Sequence, residues 1–116
     1  GSDFVVTLML QQGSEGGEFE FAPFIRGELG ADGLFDERFE DIRALFSGTY
    51  SGQRLVTRVE AGTINIFNGR RTLHRVRCVY GPRKRISSVL SYDSRPACKQ
   101  SLCVLEHNVH NYGERV

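Results

Sequence analysis

Hydrophobic and polar positions change period along the chain, and the changes divide it into strands, one helix and a closing tail. Residues 3–11, Asp3-Phe4-Val5-Val6-Thr7-Leu8-Met9-Leu10-Gln11, are apolar and β-branched with little alternation, the pattern of a buried strand. A glycine-rich break follows at 13–17. Glu18-Phe19-Glu20-Phe21 then alternates strictly, which puts both phenylalanines on one side of a strand, and Pro23 marks its edge or end. Glu18 and Glu20 read as the solvated face of that strand. Residues 27–34 form a loop. From there the period becomes helical: Phe35, Phe39, Ile42, Leu45 and Phe46 recur on one face, with Asp36 as N-cap and Gly48 as stop. This apolar stripe is expected to pack against the sheets.

Strand patterns return at 54–60 and 63–67, bounded by turns at Ala61-Gly62 and Asn68-Gly69. The longest strand-turn-strand pattern covers 73–92 around Gly81-Pro82. An even-numbered loop centred there sets Cys78 opposite Arg85, Val76 opposite Ser87 and His74 opposite Val89, all on one face of a hairpin. The other face carries Arg75, Arg77, Lys84, Ile86, Ser88 and Leu90, so the first is expected to turn inward. His74 and Arg85 then lie four residue steps apart, about 13 Å at the usual strand rise. A guanidinium cannot shed its charge, so an inward Arg85 requires a carboxylate or an acidic ligand. Ser87 lies between the two and has a hydroxyl to offer the same anion. Asn65 and Thr72 are further candidates for pocket lining, although Asn68-Gly69 explains the local polarity as turn chemistry. After Asp93 no pattern is sustained; 102–105 has the makings of a short element and Tyr112-Gly113 of a turn. Five or six short strands and one inserted helix predict a mainly β fold, a sheet sandwich or barrel.

Composition narrows the function classes. At 116 residues the chain is one domain, long enough for a core. Fifteen basic against fourteen acidic residues give no global field for a phosphate backbone, and the local basic run at 70–85 has only Tyr80 for base stacking, so nucleic acid is not an expected partner. A solvated basic edge strand accounts for that run better. Three cysteines, Cys78, Cys98 and Cys103, form no C-x-x-C pair and no even set, which points to a reducing, cytoplasmic setting. No apolar run is long enough to span a bilayer, so no membrane partner is expected. His107 and His110 have three-residue spacing, but Asn108, Asn111 and Gly113 disfavour the helix a metal clamp would need; they read as exposed tail residues.

In combination these segments carry a resemblance. The order of strand, Gly16-Gly17-Glu18-Phe19-Glu20-Phe21, helix, Ala61-Gly62-Thr63-Ile64-Asn65-Ile66-Phe67-Asn68-Gly69-Arg70-Arg71-Thr72-Leu73-His74-Arg75-Val76, then Arg85-Ile86-Ser87, resembles iron(II)- and 2-oxoglutarate-dependent oxygenases. More narrowly it is similar to their group that hydroxylates or halogenates free amino acids and similar small molecules. The likeness runs from about Asp3 to Arg115 and includes the closing Asn111-Tyr112-Gly113-Glu114-Arg115. It implies a double-stranded β-helix, a cupin-like jelly roll, of which residues 1–116 would be the incomplete C-terminal portion. It also implies His74 as the distal histidine ligand of Fe(II), and Arg85 with Ser87 as the grip on the far carboxylate of the cosubstrate 2-oxoglutarate. Two histidines and a carboxylate on one face of the metal leave three positions open for the keto acid and oxygen. In the family the first histidine and the carboxylate stand in a His-x-Asp just ahead of the first strand, which would fall immediately upstream of Gly1; no His-x-Asp occurs within these residues. The residue that separates hydroxylases from halogenases belongs to that motif, so the implied activity covers both: a dioxygenase turning 2-oxoglutarate into succinate while oxidising a small-molecule substrate. The alternative is a non-catalytic jelly-roll or cupin-like domain that holds a small anion through Arg85.

Overall fold

The computed structural model describes residues 3–94. The expected element at 102–105, the turn at Tyr112-Gly113, the closing motif at 111–115, Cys98, Cys103, His107 and His110 lie outside the described residues. Within them the order is β1 (Phe4–Gln11), β2 (Glu15–Gly16), β3 (Phe19–Ala22), α1 (Phe39–Ser47), β4 (Leu55–Thr57), β5 (Ile64–Phe67), β6 (Leu73–Val76), β7 (Val79–Tyr80) and β8 (Ile86–Tyr92). The fold is mainly β, with one helix and three antiparallel sheets ordered β5-β1-β8, β4-β3-β6 and β2-β7.

The apolar run of β1 makes it the central strand of its sheet. Val5 pairs with Phe67 and Ser91, Thr7 with Asn65 and Val89, and Met9 with Ser87, so these side chains share one face. Val5 and Met9 are buried there. The opposite face holds Val6, Leu8, Ile64, Ile66 and Leu90 and is open, with Ile66 69% exposed, so β1 is covered on one side where its apolar run predicts burial on both. The β1–β8 ladder shifts register between Met9 and Gln11, leaving Leu10 as the extra residue of a bulge.

In the second sheet the alternation of β3 is realised. Phe19 and Phe21 stack on one face at 5.3 Å between ring centroids, and Phe19 meets Phe67 of the first sheet, also at 5.3 Å. The two sheets therefore face each other across an aromatic seam. β3 is central, between β4 and β6, where Pro23 suggests an edge; the proline lies one residue past the ladder, ending the strand without removing a bond from it.

The hairpin expected over 73–92 does not form. β6 pairs with β3, β7 with β2, and β8 with β1, so the two arms enter opposite sheets. Gly81 does turn the chain, at φ 86°, and Ser14 braces the turn by accepting a hydrogen bond from the Arg83 N–H at 3.0 Å. A turn signal tells where a strand ends, not which sheet the next one joins; here the edges of β3 and β1 each take one arm.

The helix begins two residues later than expected. Asp36 Oδ1 accepts from the Arg38 N–H at 3.2 Å, a turn that holds Arg38 at φ 46°, so Arg38 takes the N-cap place and makes no side-chain cap. Gly48 ends the helix at φ 80° as expected. The stripe does not pack as predicted: α1 buries none of its residues, and Phe46 is 78% exposed.

Candidate functional site

His74 stands on β6 opposite Phe21, so its ring joins the inner face with Phe19 and Phe67, the latter edge-on at 4.8 Å. Its Nδ1 lies 2.8 Å from the Thr72 carbonyl. A carbonyl only accepts, so Nδ1 carries the proton and neutral His74 keeps the lone pair on Nε2. Thr72 is buried; its N–H donates to the Asn68 carbonyl at 3.0 Å, and Asn68 Oδ1 accepts from the Arg71 N–H at 3.0 Å. The Asn68-Gly69 turn thus fixes the carbonyl that fixes the imidazole, the outer support typical of a metal-binding histidine.

Arg85 and Ser87 reach the interior from the other sheet. Ser87 sits opposite Met9, and its hydroxyl accepts from Arg85 Nη1 at 3.2 Å. Arg85 Nε is buried with no hydrogen-bond partner. The gap it borders with Met9, Gly13, Gly17, Arg58 and Val59 holds about 10 Å³, at the lower limit for a single water. Burial pulls the guanidinium below its usual pKa, the direction expected of a cation short of a counter-charge. Gly17 makes the placement possible: its φ is 73°, and a Cβ there would stand 3.0 Å from Arg85 Cδ.

The two halves of the candidate site stand on facing sheets and not along one hairpin, and they border separate cavities. Phe67, which touches His74, pairs with Val5, while Ser87 pairs with Met9, so the groups lie four residues apart along β1, again about 13 Å. Thr7 and Asn65 lie between, with Asn65 Nδ2 3.5 Å from Thr7 Oγ1. Among the described residues no group of three His, Cys, Asp or Glu side chains converges, and His74 is the histidine present.

Glu20 departs most from its expected role. It is only 5% exposed, and three arginines converge on it: Arg75 Nε at 2.7 Å, Arg77 Nε at 3.4 Å and Arg54 Nε at 3.4 Å. The alternation that sends Phe19 and Phe21 inward sends Glu20 to the other face, and the register places it opposite Arg75. The signal was present as arginines at alternating positions of neighbouring strands. Hydrogen bonds from Arg75 and then Arg77 hold the Glu20 carboxyl below its usual value near 4.5. Its stabilising effect is therefore full above that value and is lost as pH falls through the lowered one. Glu20→Gln is expected to cost about 2 kcal/mol near neutral pH, with the difference from wild type shrinking as pH falls below the usual carboxylate range. Urea unfolding across that range checks this, and a difference independent of pH would refute the ionic account.

Comparisons of the chain with protein-family models, with curated proteins and with solved structures gave no match, so the chemistry of the site is judged from the placement of His74, Arg85 and Ser87.

Proposed function

We propose that the chain is the C-terminal, 2-oxoglutarate-binding part of an iron(II)- and 2-oxoglutarate-dependent oxygenase that hydroxylates or halogenates a small molecule such as a free amino acid. The observation that carries this reading is Arg85, a half-buried guanidinium whose buried Nε has no acceptor and whose Nη1 meets the Ser87 hydroxyl. A dicarboxylate supplies the missing charge. The two facing sheets joined by an aromatic seam support a jelly roll, and the cysteine usage supports a cytoplasmic setting; no helix among the described residues is long and apolar enough to cross a membrane.

Toward 2-oxoglutarate the orphaned Nε and the Ser87 hydroxyl supply polar groups suited to one carboxylate, while the gap of about 10 Å³ at Nε would have to open to admit it. Toward iron the chain supplies one imidazole in the correct tautomer, and the resemblance assigns the other protein ligands to a His-x-Asp that these residues do not contain. Arg85 would hold the far carboxylate, Ser87 would keep the guanidinium aimed at it, and His74 would present Nε2 to the metal. Iron with its cosubstrate, when bound, supplies the oxidation.

Calorimetric titration with 2-oxoglutarate tests the reading: saturable binding is expected, strengthened by ferrous iron, with succinate released by the protein when it carries the His-x-Asp. No binding would refute it. Binding indifferent to iron and without succinate would favour a non-catalytic jelly-roll domain that holds a small anion through Arg85.

A further inference from the structure

The face of the β4-β3-β6 sheet turned away from the aromatic seam carries a second concave feature. The register puts Glu20 opposite Arg75 and Ala22 opposite Leu73 on this face. Together with Arg54, and with Leu45 and Phe46 of α1, they line a cavity of about 240 Å³. Phe21 and His74 border it from the intervening positions, while their rings make their contacts on the other face, with Phe19 and Phe67.

Two properties of this cavity are unusual together. One wall is apolar and left open: Leu45, Phe46 and Leu73 approach it, yet the helix buries nothing. The other wall is cationic beyond what its own carboxylate neutralises: Arg54 and Arg75 line it and Arg77 stands behind them, three positive charges on the single negative charge of Glu20. Glu20 engages each arginine at Nε and so fixes them before any ligand arrives, which lowers the ordering cost of binding. The guanidinium Nη groups are the donors suited to an oxyanion.

We propose that this cavity is a second ligand site, separate from the interior one, that takes a small organic anion: an oxyanion, carboxylate or phosphate, on a short apolar chain. The oxyanion sits against Arg54 and Arg75, and the chain lies along Leu73, Leu45 and Phe46. Its apolar part is what distinguishes this ligand from 2-oxoglutarate, whose two charged ends have no match in a wall of leucine and phenylalanine.

Calorimetric titration of the chain with hexanoate, hexyl phosphate and hexanol tests this. Hexanoate or hexyl phosphate is expected to bind at least about tenfold more tightly than hexanol, and whichever anion is stronger identifies the oxyanion. Arg54→Gln is expected to weaken the anions about tenfold and leave hexanol unchanged; Arg54 is half exposed, and Glu20 keeps Arg75 and Arg77 in this variant, so the fold is retained. The methyl resonances of Leu45 and Leu73 are expected to shift on hexanoate binding, and the Arg85→Gln variant to bind hexanoate as wild type does. Equal affinity for hexanol and the anions, no binding at all, or loss of hexanoate binding in Arg85→Gln would overturn the proposal; the last result would place the ligand in the interior site.

Discussion

Arg85→Met is expected to do two opposite things: to stabilise the unliganded chain by about 1–3 kcal/mol and to remove its affinity for 2-oxoglutarate. The stabilisation follows from the buried Nε that has no acceptor. Methionine keeps much of the unbranched stem against Gly17, Met9 and Val59 while discarding the unpaired donor and its charge. The affinity loss follows from the same atom: truncating one partner of a buried, charge-assisted pair costs about 2–5 kcal/mol, a factor of roughly thirty to a few thousand in the dissociation constant. Urea unfolding without ligand and calorimetry with 2-oxoglutarate measure the two effects separately. A variant that is both less stable and equally able to bind the keto acid would show that Arg85 is a structural residue. Ser87→Ala separates support from binding, because it removes only the hydroxyl 3.2 Å from Nη1 and should weaken 2-oxoglutarate by about tenfold at most.

His74→Ala is expected to abolish iron-dependent 2-oxoglutarate consumption in protein carrying the His-x-Asp, while the chain stays folded. Its structural role is confined to ring contacts with Phe19 and Phe67 and one hydrogen bond to the Thr72 carbonyl, together worth about 1–2 kcal/mol. His74→Phe retains the ring contacts, so it should recover most of that stability and none of the turnover. Thr72 is a position where side-chain substitution leaves the essential acceptor in place, since His74 uses its carbonyl. Undiminished succinate release by either His74 variant would remove it from the metal site.

How much of this was legible in the sequence depended on what each signal encodes. Turn signals encode position, and Ala61-Gly62, Asn68-Gly69, Gly48 and Gly81 all turn or stop the chain where expected. Alternation encodes facing, so Phe19 and Phe21 were placed together correctly. Neither encodes the partner of a strand. The 73–92 segment has the local pattern of a hairpin, and its arms part because each pairs with the edge of a strand distant in sequence, β3 or β1. His74 and Arg85 still stand on facing sheets, but His74 is exposed beside the aromatic seam and Arg85 is half-buried beside Met9, so the two border separate cavities. Glu20 illustrates the converse: its strand face reads as solvated because carboxylates usually are, and its burial depends on Arg75 of β6, Arg77 just past that strand and Arg54 just before β4. A single strand pattern carries no record of them.

The bulge at Leu10 has a consequence for how the anion grip is inherited. On a regular ladder Ile86 would stand opposite Leu10; the bulge moves it to Gln11 and so shifts the start of β8, with Arg85 just before it, by one residue against β1. The identity of residue 10 hardly matters, since it is 54% exposed; the spacing that sets the grip is the one between Arg85 and Ser87 along β8 itself. Leu10→Ser should leave 2-oxoglutarate binding intact, and so should deleting residue 10, which joins Met9–Ser87 to Gln11–Ile86 as a regular ladder; deleting Ile86 instead makes Arg85 and Ser87 neighbours on opposite faces and should lose the grip, with every binding residue still in the chain. In this stretch the protein stores its binding specificity as a length, and a change of length is more damaging than a change of letter.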